Sequence, residues 1–78
     1  MTQTEKVLRH MKRFGSITPL EAMEEYGIMR LGVRIWDLKQ AGHLIQTEDV
    51  KGWNRFGEPT RYAKYSLIQE NPYEAAHP

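Results

Sequence analysis

Apolar residues recur along this chain with two periods, and the change of period divides it. From Val7 through Leu8 and Met11 to Phe14, apolar positions return every three or four residues, the spacing of one helical face. Thr2 and Glu5 stand at capping-box spacing ahead of this run and Gly15 follows it, predicting a helix over about 3–14. Ser16-Ile17 is too short for an independent strand, but could pair with a later hairpin as a third strand. In Thr18-Pro19-Leu20-Glu21, threonine caps, proline takes the first helical position and glutamate completes a capping box. A short helix to about Glu25 is expected, with Leu20 and Met23 inward and Ala22 allowing close approach. Tyr26-Gly27 ends it. A tight turn through Ile28 and Met29 then leads into a third helix over Arg30–Gly42. Leu31, Ile35 and Leu38 form its inner stripe, and Gly42 stands where a left-handed C-cap is wanted.

Past Gly42 the period becomes two. Leu44–Glu48 and Arg61–Leu67 read as strands, the second with Ala63, Tyr65 and Leu67 on one face. About twelve residues containing Gly52, Asn54, Gly57 and Pro59 lie between them as a long loop. The order helix, helix-turn-helix, hairpin is that of a winged helix. The fold class is therefore mainly α with a small antiparallel β hairpin (α+β). One domain is expected over 1–67, and 68–78 reads as a flexible tail.

Composition narrows the function. A chain of 78 residues has little room for a deep substrate pocket and buries roughly 60% of its unfolded surface. It has no cysteine, which excludes disulfides and thiolate zinc sites and favours an intracellular setting. No apolar run reaches the ~20 residues of a membrane span, and the start of the chain lacks the apolar core of a signal peptide. The formal net charge of +1 hides segregation. Residues 1–15 carry +3, 16–27 carry −3, 28–42 carry +2, 43–67 carry +1 and 68–78 carry −2. A basic face is thus available, and nucleic-acid binding needs a face rather than a total. Lys6, Arg9, Lys12 and Arg13 read as a solvated face of the first helix, or as one or two contacts to a phosphate backbone.

Candidate chemistry is of the binding kind. His10, His43 and His77 lack metal-ligand spacing, and His43 suits the end of the third helix. Neither a nucleophile triad nor a glycine-rich phosphate loop can be read. No enzyme, cofactor or metal is expected. Arg30 opens the third helix, where recognition helices meet base edges, and Gln40 on its outer face could pair with adenine. Val33, Trp36 and Asp37 share that outer face and depart from the polar residues usual there, so it also suits a protein partner. Arg34 flanks the stripe and is expected to pair with Glu21 or Glu24. In the loop, Lys51, Trp53 and Arg55, with Arg61 beyond, interleave cations and aromatics as a phosphate-contacting wing would.

Ser16–Ala22, Tyr26–Leu31 and Arg34–Ile45, closing with Gly57 and Arg61-Tyr62-Ala63-Lys64-Tyr65-Ser66-Leu67, resemble a helix-turn-helix family common in bacteriophage and prophage genomes. The resemblance covers about residues 4–67. It implies a winged helix of phage or bacterial cytoplasmic origin, with members assigned mostly to DNA binding. Three uses are then expected. One is a DNA-binding regulator or recombination accessory factor acting on duplex DNA. Another is a protein-binding winged helix that inhibits a host nucleic-acid machine, as an anti-CRISPR or other anti-defence protein does. The last is an assembly or packaging component. The chain would be a monomer or homodimer.

Overall fold

The computed structural model describes residues 1–68, so the tail expected beyond Ile68 lies outside the described residues. Its elements are α1 (Gln3–Phe14), β1 (Ser16–Ile17), α2 (Pro19–Tyr26), α3 (Leu31–Gln40), β2 (Ile45–Trp53) and β3 (Pro59–Leu67). Both expected capping boxes form. The Glu5 N–H donates to Thr2 Oγ1 at 3.1 Å and the Thr2 N–H donates to Glu5 Oε1 at 2.8 Å. Thr18 and Glu21 repeat the exchange at 3.2 and 2.9 Å. Each pair satisfies amide groups that a helix start otherwise leaves open.

The core is built from Val7 and Met11 of α1, Ile17, Ala22 of α2, Ile28, and Leu31, Ile35 and Leu38 of α3. The α3 stripe is as expected, each member about 3% exposed. Ile28 lies in the turn, as expected, and is also buried, its N–H donating to the Ala22 carbonyl at 3.1 Å. The turn between α2 and α3 therefore plugs the core as well as reversing the chain. Gly27 makes this possible with φ +68°, a left-handed conformation costly for residues with a Cβ. At the end of α3 the Gly42 N–H donates to Lys39 O and the His43 N–H to Leu38 O, both at 3.1 Å. Gly42 has φ +99°. This is a Schellman closure.

Two expected inward faces are corrected. Leu20 and Met23 are exposed, and α2 buries Ala22 instead, with Tyr26 half-buried one turn later. Leu20 lies with Thr18, Glu21 and Tyr62 around a surface depression. Phe14 is 63% exposed, and His10 takes its inward place on α1, so that Phe14 rests on the imidazole from outside at 4.7 Å between ring centroids.

The sheet has the order β1-β3-β2, all antiparallel. Ser16-Ile17 does pair, opposite Ser66 and Tyr65. The hairpin is longer than expected. β2 runs to Trp53 and β3 starts at Pro59, leaving a turn of residues 54–58 in place of the long loop. Asn54 organises that turn. Its Oδ1 accepts from the N–H groups of Phe56 and Glu58 at 2.9 and 3.0 Å, and its Nδ2 donates to Glu58 Oε1 at 3.0 Å. Thus Lys51 and Trp53 stand on a strand rather than in a loop.

Candidate nucleic-acid interface

Two surfaces collect the residues singled out in the sequence. On α3, Gln40, Val33 and Trp36 project away from the buried stripe, and Trp36 is 60% exposed. Arg30 is the N-cap residue, exposed, and its side chain makes no capping hydrogen bond. Its guanidinium therefore stands free of any helix-start role, one residue ahead of the first turn.

Asp37 does not oppose this surface as its sequence position suggested. Its Oδ2 accepts a long hydrogen bond from Thr4 Oγ1 of α1 at 3.4 Å, and Arg34 Nη2 lies 3.6 Å away. The carboxylate is thus turned toward α1. Arg34 pairs with Asp37, one helical turn along, rather than with Glu21 or Glu24 as expected. Both side chains are about a third exposed, so the pair contributes little stability (~0–1 kcal/mol). Its consequence is positional: the acid of α3 is matched locally.

The hairpin forms the second surface. Register places Lys51 opposite Arg61 and Trp53 opposite Pro59, with side chains of each pair on the same face. Two cations therefore project side by side, with Trp53 one step nearer the tip. These four residues border one open depression with the strand segments of Gly52 and Thr60. Arg55 and Phe56 stand apart from it, exposed in the tip turn. On the opposite face, Val50 pairs with Tyr62 and Glu48 with Lys64. Gly52 lies under the Tyr62 ring, whose Cε1 would be 3.4 Å from a Cβ at that position. The wing thus carries Lys51 and Arg61 on one face, which Asp49 also shares, and Val50 with Tyr62 on the other, beside the Glu48–Lys64 pair.

Sequence reasoning missed the part of Tyr65. Alternation along β3 predicts Tyr65 on the inner face, where the structure places it, packed partly buried against the core. Its hydroxyl also comes within 3.9 Å of where a Cβ would stand on Gly32. The sheet thereby abuts the first turn of α3, and Gly32 leaves the space for it. Lys39 is likewise exposed, in the last turn of α3.

Among the described residues no cluster of three potential metal ligands forms, and no helix is long and apolar enough to cross a membrane. Neither curated proteins nor solved structures yield a match to the chain. A family model does, over residues 2–70, and its description is a winged helix-turn-helix domain. Three helices, a turn plugged by Ile28 and an antiparallel hairpin carry that assignment independently: the chain belongs to the winged helix-turn-helix domain family.

Proposed function

We propose that the chain binds duplex DNA, with the outer face of α3 at base edges and the wing on the phosphate backbone. The observation that carries this reading is the opposition of Lys51 and Arg61 across β2 and β3. Like charges directly opposite each other destabilise a hairpin, and a bridging phosphate removes the repulsion. Arg30 and Gln40 have donors suited to guanine and adenine edges, Trp36 adds an apolar contact, and Lys51, Arg55 and Arg61 meet phosphates. Asp37, matched by Arg34, presents no bare charge to the backbone. With the sequence resemblance, this favours a transcriptional regulator or recombination accessory factor of phage or mobile-element type, acting in the cytoplasm of a bacterial host as monomer or homodimer. The test is titration with duplex DNA at rising salt. Affinity that falls steeply with salt supports the reading, and absence of duplex binding at low salt removes it.

A second reading has its own observation. Trp36, Val33, Met29, Trp53 and Phe56 are all exposed, and exposed aromatics of this size are anchor types at protein interfaces. A winged helix that docks on a host nucleic-acid machine, as an anti-CRISPR or other anti-defence protein does, would use the same surfaces. Loss of a host-protein complex on Trp36→Ala, with duplex binding absent, selects this alternative.

A further inference from the structure

Lys6, Arg9 and Arg13 recur at spacings of three and four on α1 and so share one stripe. Thr4, which reaches Asp37 of α3, lies about 180° round the helix from Arg13. The cationic stripe therefore points away from α3. Beside it lies a groove of about 300 Å³ bordered by these three cations with His10, Phe14 and Tyr26. Among the described residues no carboxylate borders it, and Glu5 is turned back onto the Thr2 amide.

His10 is the feature that makes this more than a basic surface. It is buried to 6% exposure, and its Nδ1 lies 2.7 Å from the Tyr26 hydroxyl. Its Nε2 is also shielded, yet has no hydrogen-bond partner among the described residues. When the Tyr26 hydroxyl donates to Nδ1, Nε2 carries the proton and lacks an acceptor. A buried donor without an acceptor loses its hydration with nothing in return. Phe14 covers the imidazole at 4.7 Å, and Arg13 sits 5.4 Å over the Phe14 ring. Phe14 is itself largely in solvent and borders the same groove as His10, so its side chain is able to turn without disturbing the core.

We propose that this groove binds a phosphate group, with Lys6, Arg9 and Arg13 supplying charge and His10 Nε2–H donating to a phosphate oxygen. Charge-assisted hydrogen bonds of this kind are short and strong. The phosphate is carried either by a free small molecule or by a nucleic-acid strand on the side of the domain away from α3. The site does not rest on DNA reading by α3 and the wing.

The test is a titration of the intact chain with inorganic phosphate, AMP and a short single-stranded oligonucleotide, following the His10 imidazole nitrogens and the Phe14 ring by NMR. A saturable shift of Nε2 with phosphate or AMP supports a small-molecule source. A shift with the oligonucleotide alone supports a strand phosphate. In either case Arg9→Gln with Arg13→Gln abolishes the shift, and Lys51→Ala with Arg61→Ala leaves it unchanged. Both pairs are exposed, so the fold survives each. The proposal is overturned if none of the three ligands shifts Nε2 or if sodium chloride reproduces the shift. It is equally overturned if the shift survives loss of Arg9 and Arg13 or depends on Lys51 and Arg61.

Discussion

Lys51 and Arg61 stand directly opposite each other on β2 and β3, so the wing carries two like charges where a hairpin gains most from opposite ones. The expectation for the free protein follows from this pairing. Lys51→Glu converts the repulsion into a cross-strand ion pair and raises stability by about 0.2–1 kcal/mol. Thermal denaturation of the two proteins at low salt measures it. An unchanged or lowered midpoint would mean that the two side chains splay apart without cost, and the functional weight given to their opposition would go with it.

The two faces of α3 separate folding from binding. Ile35 and Leu38 are buried while Trp36 is 60% exposed. Ile35→Ala should cost about 2–5 kcal/mol, whereas Trp36→Ala should stay within about 0.5 kcal/mol of the parent. Denaturant unfolding of both variants checks this. A large loss on Trp36→Ala would show that its ring is structural, and its use as a partner contact would have to be abandoned.

Gly42 closes α3 in a left-handed conformation with open space around it. Gly42→Ala meets no neighbour, so its penalty is that of the backbone alone, about 1–2 kcal/mol. The same unfolding experiment reads it, and Ala41→Gly supplies a control at a right-handed position of the same cap.

Acid should loosen the start of α1. The Glu5 carboxyl is held below its ordinary value of 4.5, chiefly by the hydrogen bond with the Thr2 backbone and then by the Thr2 hydroxyl. A carboxylate with a depressed folded pKa stabilises above its unfolded pKa, and that contribution disappears as pH falls through the folded value. The protection of the amides at the first turn of α1, measured relative to their intrinsic exchange rate at each pH, should therefore fall on acidification below about pH 4.5. Glu5→Gln keeps the capping geometry without the titration, and should remove this part of the pH dependence.

The helices were legible in the sequence because caps and stripes are local signals. Thr2 with Glu5, Thr18-Pro19 with Glu21, and Leu31, Ile35 and Leu38 declare their roles within a few residues. The outer half of the hairpin was not legible. Alternation of apolar and polar residues marks a strand with one face on a core, and that holds for Ile45, Tyr65 and Leu67. From Asp49 to Trp53 no side chain is buried, and Gly52 and the exposed Trp53 blur the apolar-polar signal although the pairing continues. Leu20 and Phe14 misled for a related reason. Their spacing fits an inward face, but Ala22 and His10 fill those places through contacts that only the tertiary fold creates, the second through Tyr26. The same holds for Asp37, whose partners are Thr4 from another helix and Arg34. At the candidate interface, residue types were readable, and the opposition of Lys51 and Arg61 needed the register.

The most direct measurement is the affinity for a random-sequence duplex across a salt series, for the parent chain and for Lys51→Ala and Arg61→Ala. Parent affinity should fall linearly with the logarithm of salt concentration, and each substitution should weaken binding at every duplex sequence and lower the slope by roughly 1. No duplex binding at low salt, or a slope that neither substitution changes, would contradict the wing's place on the phosphate backbone.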